Sequence, residues 1–249
     1  MIPRLFAPVD YAVDTVIALD AASAHHAVRV LRLGVGEPVV LFDGRGRTAR
    51  ALIVETAPCR VRLEAVQEAP PPARPRLALA QCLSGADRMD WTIEKAVELG
   101  VSRITPLQSR RSVVRLDPAR AARRREHWQR VIVAACAQSG QDWMPHLDEL
   151  APLGNWLAQA QGDRGASLQV VLAPGATRSL AALLDDPATP VPGTLWLLCG
   201  PESGFADEEL AQALEAGWIA AGLGPRVLRT ETAGLAALAV VQARWGDLR

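Results

Sequence analysis

The chain has 249 residues, 27 basic and 27 acidic side chains, and a formal net charge of zero at pH 7. Apolar residues make up 49% and charged residues 22%, the make-up of a globular protein with room for one large domain or two modest ones, which excludes disorder and coiled coil. No run of about 18 apolar residues exists to span a membrane, the opening Met1-Ile-Pro-Arg-Leu-Phe-Ala-Pro lacks a signal-peptide core, and Cys59, Cys82, Cys136 and Cys199 form no CxxC pair, so no metal site or disulfide framework is expected and a cytoplasmic location is.

The chain opens with short extended pieces. Asp20 is placed to cap a short helix over 21–31, with Gly34 as its stop. Residues 37–42 (EPVVLF) read as a strand and Asp43-Gly44 as a turn. Residues 48–54 and 60–67 alternate with period two and read as two further strands. Short strands around one helix predict a small β-barrel over 1–70. Residues 69–75 (APPPARP) cannot sit inside a helix or a sheet and read as a stiff linker over 71–75.

Beyond the linker, strands are predicted at 76–83, 103–107, 168–172, 194–199 and 225–228. Helices are predicted at 88–99, 118–138, 154–161, 179–184, 207–216 and 231–245, with Gly100 and Gly140 as stops. This alternation predicts an α/β domain with a mainly parallel sheet over 76–249.

The neutral total hides a segregated charge. Residues 1–75 carry 9 basic and 8 acidic groups, residues 76–145 carry 12 and 7, and residues 146–249 carry 6 and 12. A basic middle keeps a polyanionic partner open despite the balanced total. The middle holds nine arginines between Arg103 and Arg130, and the arginine fork suits phosphate; a solvated helix face is the plainer reading of part of that run.

Three glycine-bearing motifs are candidates for chemistry. Gly44-Arg-Gly46-Arg-Thr-Ala49 copies a dinucleotide fingerprint, but that motif must lead into a helix, and here a strand follows, so a hairpin is expected. Residues 197–209 (LLCGPESGFADEE) run from an apolar strand into a Gly-Pro-Glu turn and an acidic helix start, the place where α/β sheets bind ligands. The acids disfavour a phosphorylated ligand and favour a neutral or cationic one. Residues 223–234 (LGPRVLRTETAG) end a short strand at Arg226 and Arg229, with Thr230 or Thr232 as the helix cap and Glu231 in the first turn.

These segments, in this order, resemble the RsmE family of bacterial ribosomal RNA methyltransferases, within the SPOUT superfamily. The resemblance runs from Ile2-Pro-Arg4, His26-Ala-Val-Arg29-Val-Leu-Arg32 and Leu41-Phe-Asp-Gly44 through Thr92-Ile-Glu-Lys95 and Ile104-Thr-Pro-Leu107. It continues through Ala134-Ala-Cys136-Ala-Gln-Ser-Gly140 to Gly200-Pro-Glu202 and Leu223–Thr232. It implies a PUA-like RNA-binding β-barrel followed by a SPOUT methyltransferase domain whose trefoil knot lies over about 168–249. It implies S-adenosyl-L-methionine as cofactor, a homodimer formed through the knot domain, and methylation of N3 of a uridine in the 16S ribosomal RNA of the small subunit.

Carried onto this chain, the resemblance places the cofactor at Leu172, Ala173 and Pro174, at Cys199, Gly200, Pro201, Glu202 and Gly204, and at Leu223, Gly224, Val227, Leu228, Thr230, Thr232 and Ala233. RNA contacts are expected from Arg4, His26, Arg29, Arg32, Lys95, Arg110 and Arg111. Two positions depart from the family pattern: Ser203 stands where a second glycine is usual, which requires negative φ there or a shifted loop, and Ala173 stands where histidine is common. Arg226 or Arg229 is expected to stabilise the anion formed as uracil N3 loses its proton, and Glu202, Glu231 or water to accept that proton. Other readings are a different SPOUT enzyme acting on a ribose hydroxyl or a transfer RNA base, and a non-catalytic RNA-binding protein of the same fold.

Overall fold

The computed structural model describes residues 2–159 and 167–248, and the chain divides into two compact units. The first comprises residues 1–71 and 133–144, the second 72–132 and 145–249. The stretch 133–144, which the sequence reading placed beyond the linker, therefore packs with the N-terminal residues.

In the first unit, strands β1 (Arg4–Phe6) and β2 (Val16–Ala18) precede helix α1 (Ala21–His25), which widens into a π-helical turn over His26–Val30. Asp20 caps this helix as predicted, its carboxylate accepting from the Ser23 N–H at 2.7 Å. The helix leaves its ideal winding one turn early, and Arg32 follows with φ of 57°, a left-handed conformation uncommon for arginine. Strands β3 (Pro38–Phe42), β4 (Arg47–Thr56) and β5 (Cys59–Glu68) complete a sheet in the order β1-β3-β4-β5-β2. Its alternating positions Val39, Leu41, Ala51, Ile53, Val61 and Leu63 point to one side and join Ala27 in a single core. At the predicted hairpin, the Asp43 carboxylate accepts from the N–H groups of Arg45 (2.7 Å) and Arg47 (3.0 Å). The chain then runs on as a strand, so the dinucleotide reading of 44–49 is excluded.

The second unit is built on strands β6 (Arg76–Cys82) and β7 (Val101–Gln108), separated by helix α2 (Ala86–Glu98). Helix α3 (Pro118–Ser139) begins in this unit and its last seven residues belong to the first. Short strands β8 (His146–Leu147) and β9 (Ala151–Pro152), helix α4 (Leu153–Gln159), strand β10 (Ser167–Leu172) and helix α5 (Leu180–Leu184) follow. Strand β11 (Thr194–Cys199), helix α6 (Asp207–Glu215), strand β12 (Ile219–Ala221) and helix α7 (Thr230–Trp245) complete the chain. The last two residues of the predicted helix 154–161 lie outside the described residues.

The sheet order is β12-β10-β11-β6-β7-β8, with β9 also on β7, and every pairing is parallel. A parallel sheet is covered on both faces, so its strands read as continuous apolar runs; six of the seven residues of β6 are buried. The α/β class with a parallel sheet, preceded by a small N-terminal sheet, is thus the one expected from the sequence. On one face, Trp156 packs against Trp196 and Trp218 with centroids 5.5 Å apart in each pair. No described helix is long and apolar enough to cross a membrane.

Two sequence expectations fail. Residues 225–228 form no strand; the edge strand is β12, six residues earlier, and Gly224, with φ of 99°, starts an open loop instead. Neither threonine caps α7: the cap position is Arg229, with no side-chain hydrogen bond to the helix. Thr230 turns inward because buried partners compete for its hydroxyl. All four cysteines are free and buried; burial pushes the Cys136 thiol up to about 12 and the Cys199 thiol up to about 11.

Candidate active site

Because all the strands run parallel, the loops leaving their carboxyl ends gather along one edge of the second unit, where open α/β sheets bind ligands. The three segments singled out for the cofactor are all on this edge. Leu172 ends β10, and the Ala173 N–H donates to the Ala221 carbonyl at 3.1 Å, tying that loop to the end of β12. Pro174 is exposed. Cys199 ends β11, and the turn Gly200–Gly204 follows. Leu223–Arg229 is the loop between β12 and α7.

Thr230 joins the second and third segments. Its hydroxyl bonds the Gly200 carbonyl, it accepts from the Gln81 amide at 2.8 Å, and its own carbonyl accepts from the Cys199 thiol at 3.3 Å. Gln81 also donates to the Cys82 carbonyl at 3.1 Å. Its carbonyl oxygen faces Gly234, where an added Cβ would lie 3.1 Å from it. A glycine in the first turns of α7 is what lets the helix approach this buried amide.

The turn itself solves the problem posed by Ser203. Gly204 takes the left-handed conformation, with φ of 73°, and Ser203 does not. The Ser203 hydroxyl instead donates to the Arg111 carbonyl at 2.7 Å. Glu209 makes the second tie to that loop: it accepts from the Ser109 hydroxyl (2.9 Å) and from the N–H groups of Arg110 (2.8 Å) and Ala206 (3.0 Å). Of the three acids at the start of α6, this one is buried and structural while Asp207 and Glu208 face solvent.

Glu202 lies across the turn from α2. It accepts from the Gly85 N–H at 3.2 Å and from Arg88 at 3.3 Å. The same guanidinium reaches Glu231 at 3.8 Å. Three buried polar atoms at this edge have no partner among the described residues: Gln81 Oε1, Ser84 Oγ and Glu231 Oε2. A buried polar atom without a partner is costly, and in a native site it marks a place for a ligand or water.

Arg226 and Arg229 are exposed on the third loop and their side chains bond nothing among the described residues, and the Val227 between them is 79% exposed. Leu228 and Ala233 are half-buried and Thr232 is exposed. The structure therefore gathers both arginines, both glutamates and the three backbone segments along one sheet edge.

The candidate RNA contacts divide. His26, Arg29 and Arg32 are exposed on the π-helical turn and just after it, and Arg110 and Arg111 are exposed on the loop after β7. Arg4 is corrected: it pairs with Asp142 at 2.5 Å and stacks 5.1 Å from the Phe42 ring centroid, so it is bound inside the first unit. Lys95 is held by Glu94 and Glu98, each 2.7 Å from its ammonium. Arg88, Gln81 and Ser84 are site residues that the motifs did not point to. A glutamine at the end of the apolar run Leu77–Ala80 was a usable signal; nothing around Arg88 set it apart.

Residues 71–242 match the model of an RNA methyltransferase domain, and residues 19–63 that of an RNA methyltransferase PUA domain. The ribosomal RNA small subunit methyltransferase E of Mycobacterium bovis is 34% identical over 252 aligned residues, spanning 98% of this chain and 94% of that one. The chain belongs to the ribosomal RNA small subunit methyltransferase E family. The Bacillus subtilis member is 27% identical, over 93% of this chain and 91% of its own. A solved member of the family from Neisseria gonorrhoeae, bound to S-adenosyl methionine, matches with a TM-score of 0.88 and 32% identity over 100% of both chains. A methyltransferase from Legionella pneumophila in complex with its cofactor SAM gives 0.88 and 33% over 98% of each. The small N-terminal sheet is the PUA-like part of this family's fold and the second unit its α/β methyltransferase domain.

Proposed function

We propose that this chain transfers a methyl group from S-adenosylmethionine to N3 of one uridine in the 16S ribosomal RNA of the small subunit. The observation that carries this reading is the sheet edge itself. Two unpaired arginines, Arg226 and Arg229, stand on the loop that Thr230 ties to the Gly200–Gly204 turn. Family membership and the two cofactor-bound relatives support the same reading.

The residues present fit the cofactor. Its groups are a cationic sulfur, an ammonium, a carboxylate and hydroxyls. The edge offers the carboxylates of Glu202 and Glu231, the unpaired atoms of Gln81 and Ser84, and the backbone of three loops. Residues 172–174, 199–204 and 223–233 would hold it, with Leu223, Val227 and Leu228 as apolar neighbours. When bound, S-adenosylmethionine supplies an electrophilic methyl group. The protein's own residues do the rest: Arg226 or Arg229 stabilises negative charge on the uracil carbonyl oxygens, and a carboxylate takes the N3 proton. N3 is on the pairing edge of the base, so the uridine must be unpaired or extruded.

In this reading residues 1–70 form the RNA-binding module, 71–75 the linker and 76–249 the catalytic domain, with the trefoil knot over about 168–249. His26, Arg29, Arg32, Lys95, Arg110 and Arg111 contact phosphate, while Arg4 is engaged by Asp142 inside the first unit. A homodimer through the knot domain and a cytoplasmic location complete the proposal; four free, buried thiols accord with a reducing compartment.

Titration calorimetry with S-adenosylmethionine on the purified protein is expected to show saturable one-to-one binding per chain. Absence of any heat of binding, with ribosomal RNA still bound, would instead support a non-catalytic RNA-binding protein of this fold.

A further inference from the structure

The two glutamates of the site are not equivalent. Both Gly85 N–H and Arg88 point at Glu202 Oε1, and its side chain is 28% exposed, so water reaches it as well. Glu231 is 12% exposed; Arg88 approaches only its Oε1, and its Oε2 is buried with no partner among the described residues. A carboxylate whose lone pairs are taken by a backbone N–H, a guanidinium and water is a poor place to put a proton. One that keeps a desolvated free oxygen is a good one.

Resting on the function proposed above, we propose that Glu231 Oε2 is the acceptor of the uracil N3 proton and that Arg88 is the positioning residue that aims it. Arg88 sits in the first turn of α2, outside all three cofactor segments. Its fork spans a carboxylate of the Gly200–Gly204 turn and a carboxylate of the first turn of α7. By engaging Oε1 it fixes the rotation of the Glu231 carboxyl and leaves Oε2 as the free face. The step balances simply. The N3–H bond breaks and its proton passes to Oε2. The N3 electron pair forms the new bond to the methyl carbon. The bond from that carbon to the sulfonium sulfur breaks, and its electron pair stays on sulfur, which leaves as a neutral thioether.

Among the described residues, Arg88 from α2 is the ion-pair partner of Glu231, the Cys199 thiol from β11 lies close enough to feel its charge, and Arg88 also pairs with Glu202 from the turn after β11. Arg88 is therefore the one cation held on this carboxylate, and it is shared with a second carboxylate, so the cluster carries a net negative charge.

The test compares Glu231→Gln, Glu202→Gln, Arg88→Ala and Arg88→Lys with the wild-type chain. Methyl transfer to small-subunit ribosomal RNA is followed across pH, and cofactor affinity is measured separately by calorimetry. A lost general base costs about 10²–10⁴ in rate, so Glu231→Gln is expected to lose that much near neutral pH. Its rate should then rise by about tenfold per pH unit as uracil ionises without help, which a merely structural defect would not produce. Arg88→Ala is expected to lower kcat by about tenfold with the Kd for S-adenosylmethionine and the KM for RNA unchanged, because positioning alone is lost. Arg88→Lys should recover part of it, since a single ammonium cannot fork between two carboxylates. An active wild type beside a Glu231→Gln variant of unchanged rate and pH profile would overturn this assignment alone. So would a Glu202→Gln variant that loses the rate and acquires the rising pH profile in its place, or an Arg88→Ala variant whose only change is weaker cofactor binding. A wild-type chain that transfers no methyl group to the RNA would overturn the proposed function and this assignment with it.

Discussion

Arg226→Ala or Arg229→Ala is expected to reduce methyl transfer by about 10²–10³ while leaving S-adenosylmethionine binding intact, as loss of one preorganised donor to a developing anion does elsewhere. The argument is one of availability. Most other arginines bordering this edge are engaged: Arg88 by Glu202 and Glu231, Arg110 by Glu208, and Arg178 by Asp186. The side chains of Arg226 and Arg229 bond nothing among the described residues and stand exposed on a loop beginning at Gly224. A solvated, unpaired guanidinium contributes little to folding, so the same substitutions should leave the melting temperature nearly unchanged. Arginine to lysine at the position that acts should keep only part of the rate, because the flat fork is lost while the charge stays. Single-turnover rates with saturating cofactor, paired with calorimetry, separate the two effects. Wild-type rates in both alanine variants would eliminate both side chains from the chemistry.

The largest effect on stability is expected at Glu209. Glu209→Ala removes the acceptor for two backbone N–H groups and one hydroxyl. Two of these, at Ala206 and Ser109, are buried, and leaving buried donors unpaired costs about 1–3 kcal/mol each. A loss of about 2–4 kcal/mol is expected in the second unit, which corresponds to roughly 5–10 °C in its melting temperature. The adjacent acid is the control. Glu208 is exposed and 3.7 Å from an equally exposed Arg110, an ion pair of the kind worth little, so Glu208→Ala should shift stability by less than about 0.5 kcal/mol. Differential scanning calorimetry on the two variants decides it; equal melting temperatures would show that Glu209 is not the tie holding the loop after β7 to the turn after β11. Because Ser203 bonds the Arg111 carbonyl across the same gap, Glu209→Ala is also expected to loosen the placement of Arg110 and Arg111.

Much of this was legible from the residues because local rules and tertiary structure agreed. Continuous apolar runs such as Leu77–Ala80 and Leu195–Cys199 became the central strands of the parallel sheet, and Gly100 took the positive φ expected of a helix stop. Asp43-Gly44 and the strand after Gly46 pointed to a hairpin over a nucleotide loop, and β4 bears this out. What was not legible depends on groups distant in sequence. Thr230 looked like a helix cap because its partners, Gln81 and the Gly200 carbonyl, lie 149 and 30 residues away. Residues 225–228 looked like a strand from their composition, yet the edge place beside β10 was already filled by β12. The ion pairs of Arg4 with Asp142 and of Lys95 with Glu94 and Glu98 have no signature in a linear pattern. The division of roles between Glu202 and Glu231 needs both burial and the position of Arg88, and neither has a sequence signature.

The central claim, methylation of one small-subunit uridine at N3, is tested most directly by mass mapping of ribosomal RNA from cells lacking this gene, alongside the same cells complemented with the wild-type chain. The account predicts that a single methyluridine in the 16S RNA disappears on deletion and returns on complementation, with the added mass on the base. An unchanged 16S methylation pattern, or a lost methyl group on a ribose or on transfer RNA, would contradict it.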